Sequence, residues 1–217
     1  MKQGFAIVSA FCTMISVLIC ACDGILDGIY DEASDDESVN IFGTGVLSVD
    51  ASEYDRWMYI NFHTLTLDSM TIDLDLDDPL AEEPTDWDIA VHRYDARTNG
   101  GAAMETVYTS LEMLLQDGDM PEGDFVEDQA DSVYVDMSQV MSGVLGYLYC
   151  TVNRELSKWM EVDLTVLPPA YTLSGRVYLV RFSDETLCAL KLSNYKDDNG
   201  NTCRLTIDYV YPYEPEE

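Results

Sequence analysis

The segment Arg176-Val177-Tyr178-Leu179-Val180-Arg181-Phe182, Ser183-Asp184-Glu185-Thr186, Leu187-Cys188-Ala189-Leu190-Lys191-Leu192-Ser193-Asn194-Tyr195, Lys196-Asp197-Asp198-Asn199-Gly200-Asn201, Cys203-Arg204-Leu205-Thr206-Ile207-Asp208-Tyr209-Val210-Tyr211 decides the fold. Three runs rich in apolar, aromatic and β-branched residues alternate with short clusters of Ser, Asp, Asn and Gly. Runs of this kind are strands, and the clusters between them are turns. The chain therefore goes up, down and up again as an antiparallel meander. Pro212 stops the last strand, because it has no N–H to give to a ladder. Pairing Tyr195 with Cys203 across the last turn places Cys188 opposite Val210. Cys188 and Cys203 then lie too far apart along the hairpin for a disulfide, and both read as free, buried thiols.

The same texture extends upstream. Trp57-Met58-Tyr59-Ile60-Asn61-Phe62-His63 has no helical period and reads as a strand. From Thr64 to Leu76 apolar and polar residues alternate, with Ile72, Leu74 and Leu76 set against Asp73, Asp75 and Asp77. Asp86-Trp87-Asp88-Ile89-Ala90-Val91-His92-Arg93-Tyr94 puts Trp87, Ile89 and Val91 on one face. It runs towards a strong turn at Asn99-Gly100-Gly101. Helical spacing occurs in pieces only, chiefly Ala102–Gln116, while Ser138–Leu148 fits either state. The expectation is an all-β protein of mostly antiparallel sheets with one or two short helices.

The chain of 217 residues has 11 Lys and Arg against 41 Asp and Glu, a net charge of -30. Only Lys2 is charged before Asp23, so the chain beyond residue 21 sets 10 basic groups against 41 acids. A phosphate backbone demands clustered cations, so nucleic acid is excluded as a direct partner. Electrostatic docking onto anionic lipid is disfavoured for the same reason. Hydrophobic residues make up 47% and aromatics 11%, enough for a core.

The N-terminus reads as an address. Lys2 precedes an apolar run from Phe5 to Ile19, which suits a signal-peptide core better than a membrane span. Ile19-Cys20-Ala21-Cys22 resembles the lipobox of bacterial lipoproteins, in which the last Cys is lipidated. This implies a signal peptide over 1–21, a lipid on Cys22, an acidic tether over 22–42 and one β domain over 43–217. Membrane attachment is then through the lipid anchor alone.

No Gly-rich phosphate loop, HExxH metal motif or Gly-x-Ser-x-Gly elbow occurs, and the chain reads as a non-enzyme. His63 and His92 fall within predicted strands and read as histidines satisfied by polar neighbours. Asp73, Asp75, Asp77 and Asp78 offer oxygen to calcium, but calcium needs roughly six to eight closed ligands. Alternation reads them instead as a solvated strand face. Met137 and Met141 flank Ser138-Gln139-Val140 beside Gly143 and Gly146. Methionine fills core gaps, lines adaptable pockets and ligates haem iron.

Trp57-x-Tyr59-x-x-Phe62, Asp86-Trp87-Asp88-Ile89-Ala90-Val91-His92-Arg93-Tyr94-Asp95-x-Arg97-Thr98-Asn99-Gly100-Gly101 and Pro168-Pro169-x-Tyr171-x-x-Ser174-x-x-Val177 resemble the HmuY family. Leu190-Lys191-Leu192-x-x-Tyr195 and Leu205-Thr206-Ile207-x-Tyr209-x-Tyr211-Pro212 extend the likeness, in order, from about residue 48 to 212. The resemblance implies an all-β, haemophore-like, lipid-anchored lipoprotein of the bacterial outer membrane; the acidic tether points to cell-surface display, which such tethers accompany in some bacterial lipoproteins. Such proteins bind haem and pass it to a TonB-dependent outer-membrane receptor. The family's axial ligands are two His or two Met from two loop regions. The first matches Asp136–Gly143, which makes Met137 and Met141 the candidate haem-iron ligands. The second matches Glu161–Leu167 and holds neither His nor Met, with Leu164 or Leu167 where a donor is expected. Arg154 and Lys158 are the nearest cations for the propionates. The alternative is an HmuY-like module for a non-haem ligand such as a glycan, peptide or partner protein.

The Cys22→Ser variant is expected to lose its membrane association or remain unprocessed. Unchanged fractionation and unchanged mass would refute the anchor.

Overall fold

The computed structural model describes residues 43–163, 165–166 and 169–216. Cys22, the signal peptide, the tether, Leu164 and Leu167 lie outside the described residues. The strands in chain order are β1 (Gly43–Asp50), β2 (Arg56–Asn61), β3 (Thr66–Thr71), β4 (Ile89–His92), β5 (Asp95–Thr98) and β6 (Ala102–Glu105). Helix α1 (Leu111–Asp117) follows, then β7 (Val126–Glu127), β8 (Gln129–Asp136), β9 (Gly146–Val152), β10 (Met160–Asp163) and β11 (Ala170–Leu173). The meander closes the chain as β12 (Tyr178–Arg181), β13 (Leu187–Lys196) and β14 (Thr202–Tyr211). One sheet has the order β1-β14-β13-β12-β6-β7, a second β3-β2-β4-β5, and β8-β9 and β10-β11 are separate two-stranded ribbons. Every pair is antiparallel. The all-β, mostly antiparallel class is therefore the one observed.

Side-chain alternation builds the layers. Along β14 Leu205, Ile207 and Tyr209 enter the main core with Tyr178, Val180 and Leu190 of the neighbouring strands. Ile60, Ile89 and Val91 of the four-stranded sheet join that core, with Phe62 just beyond β2. The opposite face of the large sheet buries Val177, Leu179, Ala189 and Val210 under Leu114 of α1. The opposite face of the small sheet buries Trp57, Tyr59 and Ala90 under Val133, Val135 and Leu148 of the β8–β9 ribbon. Strand β2 is thus covered on both faces, which is why its sequence lacks a clean polar alternation. Each large side chain buried this way contributes about 1.5–3 kcal/mol before entropy is subtracted.

The structure corrects several expectations. Lys196 pairs with Thr202, as the turn-based register requires, but irregularities at Asn194 shift the strands by one. Val210 therefore faces Ala189 rather than Cys188. Cys150, Cys188 and Cys203 are nonetheless free, with Cys188 and Cys203 buried. The Thr64–Leu76 alternation yields a strand only over β3. Beyond it Asp73 Oδ1 accepts from Asp75 N at 2.9 Å, and Asp78 Oδ1 from Leu80 N at 3.1 Å. Aspartates that satisfy nearby backbone donors form turns in place of a ladder.

The Asp86–Tyr94 run is split by a turn. Arg93 adopts φ +57° there, and its guanidinium donates to the Ser52 carbonyl while lying 4.0 Å from the centre of the Tyr54 ring. Ala102–Glu105 is strand rather than helix, because it pairs with β12 along its length. The helix starts only after Ser110, whose Oγ accepts from Met113 N at 3.2 Å, and ends at Gly118 with φ +76°. Ser138–Leu148 resolves into a single 3-10 turn at Val140–Ser142 and the start of β9.

Arg97 on β5 is the one strongly buried guanidinium paired to a carboxylate among the described residues, with a side chain 4% exposed. It pairs with Glu83 and donates to Tyr59 Oη at 3.0 Å. Its charge lies 4.4 Å from the Trp57 ring centre and 5.1 Å from that of Trp87. Arg97→Leu leaves Glu83 without its cation and is expected to cost about 3 kcal/mol or more in denaturant unfolding. Arg97→Lys should recover little of this, because an ammonium lacks the planar fork. Near-neutral unfolding energies for both variants would refute the role.

Candidate functional site

The β8–β9 ribbon is fastened at its base. Asn153, directly after β9, donates from Nδ2 to Val126 O and to Asp128 Oδ1, both at 2.9 Å, while its Oδ1 accepts from Leu156 N at 2.8 Å. Asp128 also accepts from Thr98 N at 2.8 Å and Thr98 Oγ1 at 2.9 Å. Burial raises the Asp128 carboxyl, against the pull of these donors. Arg154 bridges Asp95 at 2.7 Å and Asp131 at 2.6 Å, and the hydrogen bond from Arg154 holds Asp131 below the usual carboxylate range.

The tip is built differently. Asp136 pairs with Gly146, and Asp136 Oδ1 accepts from Ser138 N at 2.7 Å, which lowers the Asp136 carboxyl. Gly143 closes the 3-10 turn with φ +76°. At Gly146 a Cβ would meet Asp136 Cβ at 2.7 Å and Leu74 Cδ1 at 2.8 Å, so the aspartate-capped turns after β3 press against the tip.

Met137 and Met141 occupy different environments. Met137 is half-buried and lines an open groove of about 630 Å³. Carboxylates of Glu53, Asp55, Asp73, Asp75 and Asp136 share that lining, so the groove is anionic. Met141 is 96% exposed at the summit of the tip, flanked by exposed Val140 and Val144. The outward face of the ribbon carries Tyr134, Tyr147 and the 82% exposed Tyr149. Tyr134 and Tyr147 are cross-strand partners with ring centres 4.7 Å apart. The sequence reading passed over this face. The alternation of Tyr147 and Tyr149 with Leu148 and Cys150 carried the signal.

The β10–β11 ribbon corresponds to the second loop region. Asp163 Oδ1 accepts from Thr165 N at 2.8 Å and from Thr165 Oγ1 at 2.6 Å, which lowers the Asp163 carboxyl. Val166 is exposed beside them. Met160, the nearest thioether in sequence, is buried in the main core and faces no open surface. The two cations considered for propionates are already engaged, Arg154 as above and Lys158 with Glu155 at 2.5 Å. His92 is buried, donates from Nε2 to the Tyr54 carbonyl at 2.6 Å, and packs 5.2 Å from Trp57. His63 lies in the turn after β2 rather than within the strand. Among the described residues no group of three or more His, Cys, Asp or Glu is arranged to hold a metal ion.

Two sheets that pack face to face, with ribbon tips bearing exposed side chains, define a β-scaffold that presents loops at its surface. The HmuY protein family model matches residues 53–209, and the chain belongs to that family. Among solved structures it is similar to a candidate HmuY-like heme-binding protein of Bacteroides vulgatus. That match has 44% identity and a TM-score of 0.73, covering 79% of this chain and 93% of the other. A candidate lipoprotein of Bacteroides fragilis is 43% identical, with a TM-score of 0.74 over 82% of this chain and 94% of that one. An apo HmuY analog of Tannerella forsythia shares the fold at 22% identity and a TM-score of 0.65, covering 80% of this chain and 97% of the other. No curated protein matches.

Burial orders the thioethers. Under dilute peroxide Met141 is expected to become sulfoxide first, Met137 later, and Met160 only on unfolding. Peptide mass spectrometry at timed intervals reads the order, and early oxidation of Met160 would contradict the packing.

Proposed function

We propose that this protein is a lipid-anchored haem- or tetrapyrrole-binding protein of the outer membrane that passes its cargo to a TonB-dependent receptor. The observation that carries the reading is Met141, a soft thioether 96% exposed at the tip of β8–β9. It stands where likeness to the family calls for an axial ligand. Val140 and Val144 give the tip an apolar border suited to a macrocycle face. The proposed anchor is Cys22, with residues 22–42 as tether and 43–217 as the binding domain. The relative from Bacteroides fragilis, itself described as a candidate lipoprotein, supports the anchoring.

In this reading the thioether of Met141 donates to iron on one face of the porphyrin, and Met137 is the secondary candidate. Leu164 and Leu167 have no lone pair to offer on the other face. A neutral thioether favours ferrous over ferric iron, because soft donors prefer the softer ion. The anionic groove beside Met137 repels carboxylates, so propionates turn towards solvent. That groove also favours a second reading, a non-haem ligand without negative charge such as a glycan, peptide or partner protein.

Haemin titration followed at the Soret band tests the proposal. The response should be larger after reduction, smaller in Met141→Ala, and larger in Leu164→Met or Leu167→Met. Supplying the missing donor should strengthen binding more than Met137→Ala weakens it. A six-coordinate spectrum that survives loss of both methionines would overturn the ligand assignment. No spectral change in either redox state would replace haem with the second reading.

A further inference from the structure

His63 sits at the rim where the two large sheets meet, and each of its ring nitrogens faces a different carboxylate. Nδ1 lies 3.1 Å from Asp88 Oδ2, and Nε2 lies 2.9 Å from Asp184 Oδ2. Asp88 precedes β4 in the four-stranded sheet, whereas Asp184 lies in the β12–β13 turn of the six-stranded sheet. Asp88 Oδ2 already accepts from Phe62 N at 2.6 Å. Asp184 Oδ1 accepts from Thr186 N at 3.0 Å and Thr186 Oγ1 at 2.6 Å. Both carboxylates are thus arranged as acceptors. A neutral imidazole has one N–H and can satisfy only one of them, so meeting both requires the doubly protonated ring.

We infer that His63 is a proton-dependent tie between the two sheets, closed as imidazolium and released on the Asp88 or Asp184 side when the ring loses a proton. The tie belongs to an aromatic cluster at this end of the core. The His63 ring lies 5.1 Å from Tyr211 and 5.8 Å from Phe182, and Phe182 stacks on Phe62 at 5.8 Å. The titratable groups facing the ring are Asp88 from before β4, Asp184 from the β12–β13 turn and Tyr211 from β14. Cys188 of β13 lies close enough to feel Asp88. Burial raises Tyr211 and Cys188, so both stay neutral through the range in which His63 titrates.

Burial of the ring opposes its charge, but the hydrogen bond to Asp184 and the Asp88 charge outweigh it, and the His63 pKa is raised. Burial raises Asp88, and hydrogen bonds from Thr186 and His63 outweigh burial to lower Asp184. A raised folded-state value means that the tie stabilises fully below the unfolded histidine value of about 6.5. Its contribution fades as pH rises through the folded value.

The test uses the whole chain in detergent and needs no ligand. The protein has two histidines, so their ring carbon–proton NMR signals are separable by substitution. The His63 midpoint is expected above about 6.5 in the wild type and lower by about half a unit or more in Asp184→Asn. In thermal melts the advantage of wild type over His63→Gln should be present near pH ~5.5 and gone near pH ~8.5. Asp184→Asn, a change at a half-exposed turn, should show the same pH dependence. A His63 midpoint at or below about 6.5, one unmoved in Asp184→Asn, or melting gaps that ignore pH would overturn the inference.

Discussion

A single buried guanidinium ties the long connection between β3 and β4 to the four-stranded sheet. Arg97 projects from β5 into a cage of Trp57, Tyr59 and Trp87, and meets Glu83 from the long connection between β3 and β4. A charge placed there without its carboxylate would cost several kcal/mol. The connection is therefore held against the sheet, together with the buried Ile72 and Trp87 at its two ends. The aspartate-capped turns before Glu83 are held with it, and Leu74 closes on Gly146 at the tip of the β8–β9 ribbon.

The remaining cations are largely committed as well. Arg154, Lys158, Arg176, Arg181 and Arg204 each have a carboxylate within 4 Å. With 41 acids against 11 bases, the surface left over is anionic. A ligand would then be held by apolar contact, by thioether or phenol groups, by hydrogen bonds it donates to the carboxylates, or by a positive charge of its own. Under the proposed function this would bear on receptor docking too, since an anionic face is steered towards a cationic one.

The fold was legible where strands bury their inward faces and end in Asp, Asn and Gly turns, as in Arg176–Tyr211. It was less legible wherever a side chain overrode local preference. The bulge at Asn194 shifts the register without any change in apolar pattern. Asp73 and Asp78 convert an alternating run into turns by bonding their own backbone. Arg93 accepts a left-handed conformation because its guanidinium gains the Ser52 carbonyl and the Tyr54 ring. Ala102–Glu105 is drawn into a sheet by β12, a partner distant in sequence. Of the candidate site, Met137 and Met141 stood out in the sequence as a methionine pair beside glycines, and likeness to a family made them candidate ligands. Their unequal exposure and the acidic groove depend on how three segments meet in space.

The Asn153–Asp128–Thr98 knot at the foot of the β8–β9 ribbon has a further consequence. It fastens the ribbon's base to the sheets, while residues 137–145 contribute no fully buried side chain to the core. The loop is thereby insulated from folding. Its sequence is free to drift, lengthen or exchange donors with little penalty to the scaffold beneath. Lineages built on this frame have a route to new ligands that leaves the sheets untouched, and an engineer has an interchangeable head on a stable handle.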